Sequence, residues 1–422
     1  MKHFTVRLAL LLALTACSKH SEEEFAPQPV SHFDRVVMVY MSGDNDLSDD
    51  ATNDLQEIKE GMKTIGANNK MLVFMDHMSE RRPYILDVGA NGCDTVEVFD
   101  HEFYASDPKN FHNIIASLAE RYPAEEYGLV LWGHASGWLI ERDTIASQQT
   151  AAPQARRAYG YDNRGEDASA TLARWMNITQ MGHAMQGLPH FRFILADCCC
   201  MLCAETAYEL RKATDYLIGS PAEIPGYGAP YQLIVPELFS SRDSFYCDII
   251  DKYYDYYLEQ YQTSAYTNYS STSYLAGYSL PMAVVDMQYM DDLADATRDA
   301  LSLQQVYTVD RLPYYYESHL PVMYDMGCVM QRNVSAEVYE EWRKALRKAV
   351  PYRRFSARWM SRYNSITRKM RADEFADCGD AYAGLSMFVP LSLYDQAANC
   401  DYNEKIRNTQ WFWAVEWDRS DQ

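Results

Sequence analysis

The chain has 422 residues, 48% of them hydrophobic, and a formal net charge of −21. This suffices for a substantial core in one large domain or two ordinary ones and excludes a disordered chain. It also excludes a general affinity for nucleic-acid phosphates, which needs clustered Lys and Arg to displace counterions, so partners should be neutral or cationic.

At the N-terminus, Lys2 and Arg7 flank a short apolar run, Leu8 to Leu14, and small residues follow. The pattern is a secretory signal over residues 1–16, too short to span a bilayer. Leu14-Thr-Ala-Cys17 resembles a bacterial lipobox, which implies cleavage before Cys17 and a lipid anchor on its thiol; an ordinary signal with an incidental Cys17 is the alternative. Ser21-Glu-Glu-Glu24 resembles an acidic lipoprotein export tag, implying an exported, outer-membrane lipoprotein facing the cell exterior. Residues 17–33, with Pro27 and Pro29, read as the tether. Export permits disulfides, but Cys93, Cys247, Cys328, Cys378 and Cys400 lack framework spacing, so few or none are expected.

Folding begins with Arg35 to Met41, a continuous apolar run that predicts a strand buried on both faces, followed by the polar loop "SGDNDLSDD". Leu55, Ile58 and Met62 predict a helix from Ala51 to Met62. Met71 to Met75, Tyr84 to Val88 and Val96 to Phe99 read as strands, Phe111 to Arg121 as an amphipathic helix, and Tyr127 to Trp132 as another buried strand. From Leu139 to Thr171 no period is sustained, a length of loop that is usually functional or flexible. Then come a helix over Leu172 to Met185, a strand over Phe191 to Ala196, a helix over Met201 to Ala213 and a strand over Asp215 to Gly219. Alternating buried strands and helices predict an α/β fold with a mainly parallel sheet.

Beyond residue 235 the pattern loosens. Tyr231 to Tyr261 reads as one helix whose face of Tyr253, Tyr254, Tyr256, Tyr257 and Tyr261 suits a core contact. Met282 to Asp286 predicts a strand, Met290 to Leu303 a helix, and Ala383 to Val389 a late strand rejoining the sheet.

In open α/β sheets reactive groups collect at the carboxyl ends of strands. Two strand ends carry such groups: "GLVLWGHASGW" places His134 in a Gly-rich turn, and "LADCCCMLC" places Cys198, Cys199 and Cys200 between a strand and a helix expected at Met201. A Cys at a helix N-terminus beside a His is a recipe for a thiolate at neutral pH. A shared metal is excluded for the triplet, because neighbouring residues on extended chain face opposite ways. Cys200-Met-Leu-Cys203 has redox spacing but lacks the usual neighbours.

"VYMSGDNDL" (Val39 to Leu47), "LWGHASGW" (Leu131 to Trp138), "LADCCCMLCAETAYEL" (Leu195 to Leu210) and "GSPAEIPGYGAPY" (Gly219 to Tyr231) together resemble the clostripain family of cysteine peptidases, within the caspase-like clan. The resemblance covers about residues 34 to 235. It implies a caspase-like α/β/α sandwich with a mainly parallel central sheet over residues 34–285, and a mixed, partly helical C-terminal subdomain over 286–422 packing on that core. It selects Cys199 as nucleophile, with Cys198 and Cys200 replacing an Ala and a Leu of the family pattern. His134 becomes its general acid and base, and the backbone N–H groups of Ala135 and Cys199 the oxyanion hole; Ala135 replaces a Gly. Asp197, two residues before the nucleophile, would line a pocket for Arg or Lys, with Glu223 as a second acid. For Asp197, capping of the following helix is an equally good reading.

Relatives cleave themselves between the His and the Cys, so Arg156-Arg157 becomes an activation site in a zymogen. The expected activity is endopeptidase cleavage after basic residues of peptides or proteins, with no cofactor or metal in the chemistry. Calcium activates some relatives, and "SGDNDLSDD" is acidic enough to suggest a structural or activating calcium site, though without calcium-loop spacing. Two other classes stand beside this one: a surface peptide-binding protein on an altered peptidase scaffold, and a thiol-disulfide protein using Cys200 and Cys203. Natural substrate and oligomeric state are not encoded legibly.

Overall fold

The computed structural model describes residues 32–417 except 81, 140–158, 164–173, 263–279, 304–306, 319, 363–367, 372–373 and 398–399. The expected signal, tether and Cys17, and the expected cleavage site at Arg156 and Arg157, lie outside the described residues. From His32 onward the chain is one compact unit.

Its centre is a nine-stranded sheet. Strand β1 (Phe33–Gly43) leads to helix α1 (Ser48–Met62), then β2 (Asn69–His77), β3 (Tyr84–Gly89), β4 (Gly92–Val98), helix α2 (Pro108–Arg121) and β5 (Ala124–Gly133). A two-stranded ribbon, β6 (Tyr159–Asp162) with β7 (Arg174–Met176), precedes α3 (Ile178–Ala184). There follow β8 (Phe191–Asp197), α4 (Ala204–Leu210), β9 (Thr214–Gly219), α5 (Tyr231–Leu238), α6 (Phe245–Gln262) and β10 (Met282–Asp286). With β13 (Tyr352–Arg354), the sheet order is β13-β10-β9-β8-β5-β1-β2-β3-β4. The five strands from β9 to β2 in that order are parallel, and β3, β4, β10 and β13 are antiparallel at the two edges.

The continuous apolar runs are explained by burial on both faces. Val36, Met38 and Tyr40 of β1 join one core with Leu129 and Leu131 of β5, while Val37, Val39 and Met41 join a second with Val130 and Trp132. Ala51, Leu55 and Ile58 of α1 and Ile234 and Val235 of α5 cover the second face; Phe111, Ile114 and Leu118 of α2 cover the first.

Past α7 (Met290–Leu301), strands β11 (Tyr314–Glu317) and β12 (Pro321–Asp325), helices α8 (Met326–Asn333) and α9 (Ala336–Ala349), the hairpin β14 (Arg358–Arg362) with β15 (Arg368–Arg371) and the short β16 (Ser386–Met387) complete the larger elements. No described helix is long and apolar enough to cross a membrane.

Three local expectations are corrected. Within the expected helix over Leu172 to Met185, Arg174–Met176 is strand β7, and α3 begins only after the Asn177 cap. The Tyr-rich segment is two helices, parted between Leu238 and Phe245 shortly after Pro236. The late strand is only Ser386–Met387, and it joins β11 and β12 in a separate sheet rather than the central one. Gly327 in α8 lies so close to the 381 backbone that a Cβ there would sit 1.8 Å from the Ala381 carbonyl oxygen. Gly327→Ala is therefore expected to cost more than about 4 kcal/mol or to prevent folding, read as soluble yield and melting temperature; near-normal melting would contradict this packing.

Candidate active site

Trp132 of β5 is register-paired with Asp197 of β8, so His134 and Cys199 lie two residues further along neighbouring parallel strands at their carboxyl ends. Gly133 makes the exit from β5 possible: its φ is +134°, and a Cβ there would lie 2.9 Å from the Ser42 carbonyl oxygen. The two turns also touch, since a Cβ on Gly137 (φ +59°) would lie 2.5 Å from the Cys200 carbonyl oxygen.

The histidine has a partner that the sequence reading missed. Its Nε2 is 2.7 Å from Asp46 Oδ1, and the Tyr161 ring stands edge-on to the imidazole with centroids 6.2 Å apart. Asn45 shapes the loop presenting Asp46: its amide donates to the Ser42 and Tyr161 carbonyls while its Oδ1 accepts from Leu47 N–H. Asp46 belongs to the acidic stretch quoted above, but only β1 lying beside β5 brings it to His134.

Of the cysteine triplet, Cys199 alone is partly exposed; Cys198 and Cys200 are buried. Burial pushes the thiols of Cys198, Cys200 and Cys203 upward, which keeps them protonated, and Cys203 sits 3.1 Å from Thr206 Oγ1. All described cysteines are free thiols. Two details differ from expectation. The triplet is not extended, because Cys200 takes a left-handed φ of +61°. Helix α4 starts at Ala204, not Met201, so Cys199 does not sit at a helix N-terminus and that source of thiolate stabilisation is absent.

The turn is instead pinned to the chain after β9. Cys200 N–H donates to Ala222 C=O and Leu202 N–H to Ser220 C=O, at 2.9 and 3.1 Å. Ile224 N–H points at the Cys199 sulfur from 3.4 Å. The Cys199 thiol in turn donates to the Ile224 carbonyl oxygen at 3.8 Å, so the backbone of one residue offers the sulfur both a donor and an acceptor. Glu223, one residue earlier, is buried, is bridged to Met360 and acts electrostatically on Cys200. Ala135 bridges Tyr159, with the hydrogen bond running from Gly160 N–H to the His134 carbonyl.

Asp197 is not open to solvent: it is 2% exposed. Its Oδ2 accepts from Ala229 N–H and Tyr231 Oη, and its Oδ1 from Tyr253 Oη, at 3.0, 2.7 and 2.7 Å. Tyr257 Oη donates to the Gly228 carbonyl, so the tyrosine face of α6 buttresses this loop. Asp54, hydrogen-bonded to Trp132 Nε1, is pushed up to about 10 by burial and then by the nearby Asp197 charge, so it holds a proton at neutral pH; burial raises Asp197 as well, against the hydrogen bonds from Tyr231, Ala229 and Tyr253. The helix cap considered for Asp197 is not what it makes; it anchors the loop ahead of α5.

The stretch "SGDNDLSDD" is divided in space. Asp49 and Asp50 enter the first turn of α1, Asp46 meets His134, and Asp44 turns inward toward Asp76 and Glu102, a trio of oxygen donors whose ligand atoms lie within 4.8 Å of one another.

Residues 39–380 match the sequence profile of the Clostripain family. The chain is similar to a secreted C11 cysteine protease from Bacteroides thetaiotaomicron solved in complex with an irreversible peptide inhibitor: 28% identity, 92% of this chain and 99% of that one, TM-score 0.73. It is also similar to an inactive zymogen C11 protease from Parabacteroides distasonis: 26% identity, 91% and 98% coverage, TM-score 0.69. A second secreted C11 cysteine protease from Bacteroides thetaiotaomicron, 19% identical over 91% of this chain with TM-score 0.70, shares the fold. No curated protein matches the chain significantly.

Proposed function

Because the chain belongs to the clostripain family and is a cysteine peptidase, we propose that Cys199 is its nucleophile and His134 the group that moves the proton. The carrying observation is that the one partly exposed thiol of the triplet stands at the end of β8 beside the histidine at the end of β5. The Cys199 thiolate attacks the scissile carbonyl carbon, and the resulting oxyanion is met by the backbone N–H groups of Ala135 and Cys199. His134 gives its proton to the departing amine, leaving a thioester; it then takes a proton from the water that hydrolyses this ester and restores the thiol. Asp46, on Nε2, orients the ring and leaves Nδ1 as the nitrogen for proton exchange.

Cleavage after Arg or Lys follows from the same reading. Asp46, Asp50, Asp54 and Asp197 form a run of carboxylates that act on one another electrostatically, and Gly226 of the covering loop packs near Asp50, where an added Cβ would lie 3.6 Å from Asp50 Oδ2. Admission of a basic side chain to Asp197 requires displacement of residues 228–231, with Glu223 as the second acid. This closed arrangement supports a zymogen whose activation cut is at Arg156 or Arg157. The membrane anchor on Cys17, which would hold the enzyme at the outer membrane, belongs to the same proposal.

The test is hydrolysis of fluorogenic peptides ending in Arg, Lys, Ala or Asp, before and after limited trypsin treatment, with the product run on a gel. Turnover of Arg and Lys peptides at least about 100-fold above the others, rising as the chain is cut, is expected. Equal turnover of all four would reject the basic preference, and full activity of an uncut chain would reject the zymogen.

A further inference from the structure

Cys93, Cys247, Cys328, Cys378 and Cys400 play no part in the peptidase reading. The groups acting on Cys93 and Cys247 are carboxylates and basic side chains, with no sulfur among them. Cys328 and Cys378 differ. They are 0% and 4% exposed, and the Cys328 thiol shares a side-chain hydrogen bond with Cys378. Both also act on the Tyr382 phenol.

The backbone brings the two together. Cys328 stands in the first turn of α8, and Cys378 precedes the turn Gly379–Ala381. Asp325, fully buried, caps α8 by accepting from Cys328 N–H at 3.0 Å. The same carboxylate accepts from Ala383 N–H at 3.0 and 2.9 Å, from Gly384 N–H at 3.2 Å and from Tyr315 Oη at 2.7 Å. Ala381 N–H donates to the Cys378 carbonyl at 2.9 Å, which closes the turn. Gly327, next to Cys328, is the residue whose added Cβ would strike the Ala381 carbonyl. The start of α8 and the 378–384 chain are thus in backbone contact, with one buried carboxylate hydrogen-bonded to both.

Two buried thiols at such a contact could pack, hold a metal or be crosslinked. A metal is disfavoured, since among the described residues no third His, Cys, Asp or Glu is close enough to both to share an ion. As packing groups they gain little that alanine would not supply. Their covalent bond would remove weak donors from the core and close a loop of about 50 residues.

We propose that Cys328 and Cys378 form a structural disulfide when the chain folds in an oxidising compartment. The loop it closes carries α9, the edge strand β13 and β14, whose Met360 bridges Glu223. Beyond Cys378 the chain passes Asp325 and reaches Ser386, whose N–H donates to the Leu202 carbonyl behind the cysteine triplet. The bond therefore anchors that bracing segment at its root.

The bond forms by thiol–disulfide exchange with an oxidant that is itself a disulfide, on a carrier protein or on a small molecule such as oxidised glutathione. The Cys328 thiolate attacks one oxidant sulfur and expels the other as a thiolate; the Cys378 thiolate then attacks the Cys328 sulfur and expels the second. Two cysteine thiols lose two protons and two electrons, and one oxidant disulfide becomes two thiols. Burial keeps the folded Cys328 thiol protonated, so exchange precedes the docking of α8. The finished bond is then shielded, and a reductant that keeps Cys199 reduced leaves it intact. Only the source of the oxidant in the cell rests on the export reading; the experiment supplies it directly.

The full chain is unfolded, reduced and refolded either in mixed oxidised and reduced glutathione or in dithiothreitol. Remaining thiols are blocked with N-ethylmaleimide in denaturant and mapped by mass spectrometry. After glutathione refolding, a peptide pair linked through Cys328 and Cys378 is expected, and it should survive dithiothreitol added to the folded protein. This protein should melt about 5 °C or more above the dithiothreitol-refolded one, a comparison that needs no variant to fold. Cys378→Ala should melt at one temperature after either refolding. Both cysteines blocked after glutathione refolding, either one linked to a different cysteine, or a redox-dependent melting temperature that persists in Cys378→Ala would overturn the proposal.

Discussion

Cys199→Ala is expected to lower peptide hydrolysis by a factor of roughly 10^4 or more with no loss of melting temperature. The thiol is partly exposed at the margin of the core, so its removal opens no enclosed cavity. Cys198→Ala and Cys200→Ala should behave in the opposite way. Their side chains are 1% and 0% exposed, and truncation costs stability by about 1 kcal/mol while the reactive sulfur remains. Assay of the three variants beside their melting curves checks the assignment. Activity lost with Cys200 and retained without Cys199 would end it.

The second large effect is on Asp197. Asp197→Ala strands two buried tyrosine hydroxyls, Tyr231 and Tyr253, and the Ala229 N–H. Each stranded donor costs about 1–3 kcal/mol, so with three of them a destabilisation of at least about 3 kcal/mol is expected. Urea denaturation measures it through the midpoint at unchanged slope. Asp197→Asn keeps the volume and one acceptor, so it should fold. Its effect then reports on specificity: a raised KM for Arg peptides and little change for Ala peptides is the expected pattern. A loss under about 1 kcal/mol for Asp197→Ala would show that the carboxylate does not anchor the loop.

The buried strands were legible because each is a short apolar run closed by turn residues, and Met282–Asp286 matches its expected bounds. Misreadings came where tertiary contacts override local pattern. Arg174–Met176 is too short to display alternation, and it is a strand only because Tyr159–Asp162 pairs with it. The 383–389 run looks like a sheet strand in isolation, but Ser386 N–H is taken by Leu202 C=O and Phe388 N–H by the buried Glu205, which leaves it bracing the segment that follows the cysteine triplet. In the site, the strand ends pointed to His134 and the cysteine triplet, and the family resemblance selected the middle cysteine. It could not carry the pairing of Asp46 with His134, which are 88 residues apart, nor the meeting of Asp44, Asp76 and Glu102. Those follow from strand order, which a single sequence does not print.

Strand order has one more consequence. A cut at residues 156–157 would leave β1 to β5 on one piece and β8, β9, β10 and β13 on the other, and the central sheet order contains only one boundary between those sets, β5 against β8. That boundary is where His134 and Cys199 stand. On the proposed assignment, a cut at 156–157 would give a two-piece enzyme whose pieces cannot drift apart without separating His134 from Cys199. Subunit loss and inactivation become one event, so dilution of the cut protein should leave its specific activity constant until the sheet itself gives way.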